Sequence, residues 1–186
     1  MRRDGRTWLL LSLCGLSVLM SGCVSRLAKY DVEVKTDESL ADAQGIYPSI
    51  ELHLMALNSM DSQMMDRRSM STYWDPNRRP DVLDRYVMHF GGQQSSKQIL
   101  GNKDPAWERW NRSRAINLFV LADLPGIVQD QISIEDPRRV VIPLQRTRWW
   151  FRPRWLVRVQ IHRGYLSYAP PQSAGKNLDR SMMEGP

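Results

Sequence analysis

Trp155-Leu156-Val157-Arg158-Val159-Gln160-Ile161-His162 alternates cleanly, turns at Arg163-Gly164, and resumes as Tyr165-Leu166-Ser167-Tyr168. Successive side chains of an extended chain point to opposite faces, so a period of two predicts a half-buried strand. A two-residue break that contains glycine then folds that strand back on itself as a carboxy-terminal hairpin.

The same period recurs toward the amino terminus. Val140-Val141-Ile142 is β-branched and stops at Pro143, which cannot donate to a ladder and so marks an edge or a bulge. Ile116 to Ala122 is apolar on both faces except at Asn117, the composition of a central strand. Arg85 to Phe90 is a shorter candidate closed by Gly91-Gly92. Ile50 to Leu57 puts Ile50, Leu52, Leu54 and Ala56 on one face, and Tyr30 to Lys35 alternates again. Helices interrupt the strands. Ser59 reads as the cap of a helix from Met60 to Tyr73, with Met60, Met64, Met65 and Trp74 in an irregular apolar stripe. Asp104-Pro105 opens a helix from Pro105 to Ser113 that puts Ala106, Trp107 and Trp110 on one side. The expected fold is mainly β, a β-sandwich of about six to eight strands with one or two short helical insertions.

The amino terminus has a different character. Met1 to Arg6 holds three arginines against one aspartate, and Trp8 to Met20 is apolar apart from two serines and a glycine. That run has the length of a signal-peptide core and falls short of the ~20 residues of a spanning helix. Leu19-Met20-Ser21-Gly22-Cys23 resembles the lipobox of bacterial lipoproteins, with methionine at Met20 where leucine is usual. The resemblance implies cleavage before Cys23 and a diacylglycerol on its thiol. Cys14 lies in the segment to be removed, so Cys23 would be the sole cysteine left, and neither a disulfide nor a thiolate metal site could form. An uncleaved amino-terminal anchor and an ordinary secretory peptide are the other two readings. Val24 follows the cysteine, without the aspartate that retains lipoproteins on the inner membrane of enteric bacteria. The expected location is therefore the cell envelope, on the periplasmic face of the outer membrane. Residues 1–22 read as signal peptide, 23–29 as a tether, 30–169 as the sandwich, and 170–186 as a polar, disordered tail.

The formal net charge is +6, and losing Arg2, Arg3, Arg6 and Asp4 with the leader leaves +4. Arg138 to Arg163 holds eight arginines and no acid, read either as a basic patch or as a solvated strand face. Nucleic acid is a poor match for an exported domain. His53, His89 and His162 each fall on an expected strand without the spacing of a helical zinc pair, so they read as packing or surface residues. Asp123, Asp130, Glu135 and Asp136 bracket the loop Leu124 to Ile134 and read as solvated loop acids. There is no G-x-S-x-G elbow and no cysteine nucleophile, so binding is expected rather than catalysis, with no cofactor, metal or small-molecule substrate identified. Trp149-Trp150-Phe151-Arg152-Pro153-Arg154-Trp155 concentrates tryptophan and arginine, the residue types favoured at protein interfaces and in stacking on sugars. Trp149, Trp150, Arg152 and Arg154 are thus candidate partner-binding residues. The competing reading buries the tryptophans while the arginines reach outward.

Three further segments, in order, resemble the outer-membrane lipoprotein of the type VI secretion system, the TssJ family. Val34 to Leu57 carries Leu40, Gly45 and Pro48-Ser49 between two strands. Met70-Ser71-Thr72-Tyr73-Trp74-Asp75 sits where the family has a short aromatic helix. Asn117 to Leu144 passes from an apolar strand through a loop into Arg138-Arg139-Val140-Val141-Ile142-Pro143-Leu144. Ala41-Asp42-Ala43 replaces the family's usual Asn-Pro-Asp, and the loop Leu124 to Pro137 is longer than usual. The resemblance implies that the loop Thr36 to Tyr47 meets the periplasmic part of an inner-membrane partner, while the lipid holds the domain at the bilayer. The function expected is a docking subunit of an envelope complex, with capture by a loop or a sheet edge. The alternative is a glycan- or peptidoglycan-binding lipoprotein that uses the Trp149–Trp155 cluster.

Overall fold

Val32 and Val34 on one strand, and Leu52 and Leu54 on another, have no exposed surface because two sheets close over them from opposite sides. The computed structural model describes residues 25–75, 77, 84–93, 96–125, 136–148 and 154–173. The strands are β1 (Ser25–Leu27), β2 (Lys29–Thr36), β3 (Tyr47–Leu57), β4 (Tyr86–Gly92), β5 (Lys97–Leu100), β6 (Asn117–Ala122), β7 (Arg139–Pro143), β8 (Arg146–Arg148), β9 (Arg154–His162) and β10 (Tyr165–Ser173). One four-stranded sheet has the order β10-β9-β2-β5, the other β4-β3-β6-β7, and β1 pairs with β8 in a separate ribbon. Every pairing is antiparallel except β2 on β9, where Val32 lies opposite Val157 and Val34 opposite Val159. The fold is a β-sandwich.

The strand pattern read from the sequence accounts for this core. Val157, Val159 and Ile161 face inward from β9, and Leu118, Val120 and Ala122 meet them from β6. Strand β6 lies inside its sheet and is buried on both faces, because Phe119 and Leu121 belong to a second cluster on the outer side. Strand β7, which ends at Pro143, is an edge strand.

That second cluster is closed by α1 (Ser59–Asp66) and α2 (Met70–Trp74), whose Met65, Met70 and Tyr73 pack on Met55, Leu57, Phe119 and Leu121. The single helix expected from Met60 to Tyr73 is two. Asn58, not Ser59, caps the first, its Oδ1 accepting the Asp61 amide at 3.0 Å. Ser69 caps the second, its Oγ accepting the Thr72 amide at 3.2 Å, so a competing side-chain acceptor stops and restarts the helix. Helix α3 (Pro105–Arg112) starts at Asp104 and buries Ala106, Trp107 and Trp110 on one side, as expected. It ends with the Ala115 amide donating to the Trp110 carbonyl and the Arg114 amide to the Asn111 carbonyl, the paired bonds of a Schellman cap. The left-handed residue of that cap is Arg114, at φ 58.

Two boundaries move. Residues expected as tether already lie in strands from Ser25, because β1 is held by β8. The expected tail begins inside β10, which passes a register shift between Ala169 and Gln172 and runs to Ser173. Among the described residues, no helix is long and apolar enough to cross a membrane.

Candidate docking site

Strand β2 ends at Thr36 and β3 begins at Tyr47, and the ten residues between them are held by their own polar side chains. Asp37 caps a 3-10 turn, Glu38–Leu40, through its Oδ1, which accepts the Ser39 amide at 2.9 Å. Those bonds from Ser39 hold the Asp37 carboxyl below its ordinary value. The Asp42 Oδ1 accepts the amides of Gln44 at 2.9 Å and Ile46 at 2.8 Å, and Gly45 takes φ 78 to let the chain reverse. Leu40 is buried and pins the turn to the core, whereas Ile46 is 47% exposed.

A groove of about 540 Å³ opens beside this loop. Leu40, Ile46, Tyr47, Pro48 and Pro125 give it an apolar lining, and Asp42 and Arg163 stand as its charges. The β9–β10 turn forms one wall, tied to the loop where the Asp37 amide donates to the Ile161 carbonyl at 2.9 Å. His162 stacks on Tyr165 at 4.5 Å and brings its Nδ1 to 3.5 Å from the Asp37 Oδ1. An apolar recess with few charges and a preformed rim suits a protruding protein segment.

The groove and the start of the described chain lie at opposite ends of the sandwich. Strand β2 runs from Lys29, beside the β1–β8 ribbon, to Thr36 at the groove, a span of about 23 Å for eight extended residues.

The residues singled out in the sequence are scattered. Trp149, Trp150 and Arg152 lie outside the described residues, as do Cys23, Asp130 and Glu135. Arg154 is described, and its Nε donates to the Asp31 Oδ2 at 2.5 Å. Burial pushes the Asp31 carboxyl up, but bonds from Arg154 and Asn102 outweigh it and hold the group below its ordinary value. Trp155 packs half-buried against the main core. The basic run does not form one patch, for Arg138 and Arg139 are buried while Arg158 and Arg163 are exposed. Asp136, expected as a solvated acid, is 1% exposed and gripped by Arg138 at 2.8 Å. Asp123 is exposed as expected. His53 has no exposure, and its ring nitrogens lie 2.6 Å from the Tyr73 hydroxyl and 2.6 Å from the Glu51 Oε1. His89 is exposed on β4, and His162, at the end of β9 beside the groove residue Arg163, lies 2.9 Å from the Ser167 hydroxyl. The sequence did not single out Ile46 or Pro125, and it marked Arg163 only as a turn residue and the end of a basic run. Their meeting depends on three separate loops, although the Thr36–Tyr47 segment did carry the resemblance.

No family model and no curated protein sequence matches the chain. Several solved structures resemble it. The type VI secretion lipoprotein TssJ1 from Pseudomonas aeruginosa aligns over 80% of this chain and 98% of its own, with a TM-score of 0.51 and 10% identity. Serratia marcescens Lip, a membrane-bound component of the type VI secretion system, aligns over 76% and 97%, with a TM-score of 0.47 and 18% identity. The chain thus shares the sandwich fold of a type VI secretion lipoprotein, and at that identity the likeness is one of fold.

Proposed function

We propose that the chain is an exported lipoprotein, anchored through Cys23 to the periplasmic face of the outer membrane, whose groove docks a periplasmic segment of an inner-membrane protein in a type VI-like envelope complex. The observation that carries this reading is the polarity of the domain. Cys23 precedes β1 at one end, and β2 holds the preformed loop Asp37–Ile46 at the other, so a lipid on Cys23 would leave that loop facing away from the bilayer. The shared fold with a type VI secretion lipoprotein supports the same assignment. Its work is positional: the lipid fixes one end of the sandwich, and the apolar recess captures an apolar side chain of the partner.

The test is site-specific photo-crosslinking in cells from Ile46, with Glu33 on the opposite sheet face as control. An adduct from Ile46 alone, containing an inner-membrane protein with a large periplasmic domain, is the expected result. Adducts with only outer-membrane proteins or peptidoglycan would remove the docking role. Cys23→Ser should release the folded domain from the membrane fraction, and retention there would sink the lipid anchor.

A further inference from the structure

The end of the domain nearest Cys23 in sequence carries a set of arginines that, among the described residues, no carboxylate pairs. Strand β1 begins at Ser25, so a single residue, Val24, separates the anchor from the folded domain. Two residues span at most about 7 Å, close to the depth of a headgroup layer and within one Debye length of the bilayer surface. Whatever surrounds Ser25 is therefore held against lipid.

Arg146 surrounds it. Its Nη2 donates to the Ser25 carbonyl at 2.7 Å and its Nη1 to the Ala115 carbonyl at 3.2 Å, so one guanidinium joins the start of β1 to the end of α3. The Leu27 amide donates to the Asn111 Oδ1 at 3.0 Å and fixes the same junction. Arg112 and Arg114 project from that helix end, and Arg26 from β1, all three exposed. Among the described residues none of these four arginines is ion-paired. The nearest acid along the helix, Glu108, stands one turn back toward its start. Ile116, 38% exposed, supplies an apolar side chain beside them.

Arg114 adds an independent indication. It occupies the left-handed position of the helix cap, where glycine is the unstrained residue. Its charge also lies close enough to Arg146 to lower that group, after the larger effect of burial. A left-handed backbone and a like-charge neighbour thus coincide at an exposed cation, the pattern found where a strained residue serves a binding site.

We infer that Arg26, Arg112, Arg114 and Arg146 form a collar that binds the phosphates of anionic phospholipid and seats the domain upright on the bilayer. The inference rests on the reading of Cys23 as the anchor. An upright seat would project the groove into the periplasm rather than leave it to swing on the lipid.

The experiment uses the full native chain, extracted from membranes and reconstituted with vesicles of phosphatidylcholine, or of equal phosphatidylcholine and phosphatidylglycerol. Flotation with the neutral vesicles reports the anchor. Hydrogen exchange at residues 25–27, 111–116 and 146–148 reports the collar. Exchange there should slow by about fivefold or more on the anionic vesicles. The difference should vanish in molar salt and in Arg112→Gln/Arg114→Gly, whose glycine suits the cap. Equal exchange on the two vesicle types, or a variant that behaves as the parent, would overturn the collar. A chain that floats only with anionic vesicles would sink the anchor and uphold the collar; one that floats with neither would sink both.

Discussion

Arg146 donates to the carbonyl oxygen of Ser25 at 2.7 Å across 121 residues of sequence, and so closes the first described residue of the chain onto one of its late strands. The same side chain reaches the Ala115 carbonyl, which makes it a rivet between the β1–β8 ribbon and the end of α3. Arg146→Ala should free β1. The expected loss is about 1–3 kcal/mol by chemical denaturation, with faster amide exchange confined at first to residues 25–27. Uniformly faster exchange over the whole sandwich would show that the ribbon is part of the core and not an attachment to it.

Arg114→Gly should act in the opposite direction. The left-handed position costs an arginine about 1–2 kcal/mol, and the extra freedom of glycine in the unfolded chain returns part of that. Relief of repulsion with Arg146 adds to the gain. A rise of about 0.5–1 kcal/mol in unfolding free energy is expected. A clear loss would mean that the Arg114 side chain holds the helix end in place.

Asp31 makes the acid limb of the stability curve testable. It is 8% exposed, accepts from Arg154 and from both the amide and side chain of Asn102, and is held below its ordinary value. A carboxyl depressed in the folded state contributes stability above its unfolded value, near pH 4, and that stability is lost as pH falls through the folded value. Asp31→Asn should cost about 1 kcal/mol at neutral pH and less as the medium approaches pH 3. A constant difference between the two proteins from pH 7 to pH 3 would assign the loss to packing instead.

Trp110 is 1% exposed, stands edge-on to Trp107 at 5.0 Å, and donates from Nε1 to the Asp84 carbonyl at 3.1 Å. Trp110→Ala should therefore remove about 3–5 kcal/mol, read as a shift in the denaturation midpoint at unchanged slope. A loss below about 1 kcal/mol would show that the helix is not built into the core.

The strands with a long alternating or doubly apolar pattern were legible from sequence. Val157-Arg158-Val159-Gln160-Ile161 read as β9, and the Trp107 and Trp110 spacing read as the buried side of α3, because burial alone sets those periods. Strands β1, β5 and β8 were not legible, since three or four residues carry no measurable period and exist through distant partners. Ser69 was read as mid-helix because the apolar stripe of Met60, Met64, Met65 and Trp74 spans it, yet its hydroxyl caps a new helix. The groove was half legible. Its loop carried a family resemblance, but Pro125, Gly164 and Ile46 meet only once the two sheets face each other.

The parallel pairing of β2 with β9 also bears on the order in which the chain becomes able to fold. Synthesis from the amino terminus delivers β2 early, yet Val32 must wait for Leu100 on one side and Val157 on the other. Until then Tyr30, Val32 and Val34 travel as an unpaired apolar edge, the kind of segment that recruits holding chaperones or aggregates. The chain as far as β9 must emerge before the sandwich can close. The maturation of this protein should thus be timed by its last strands and not by its first.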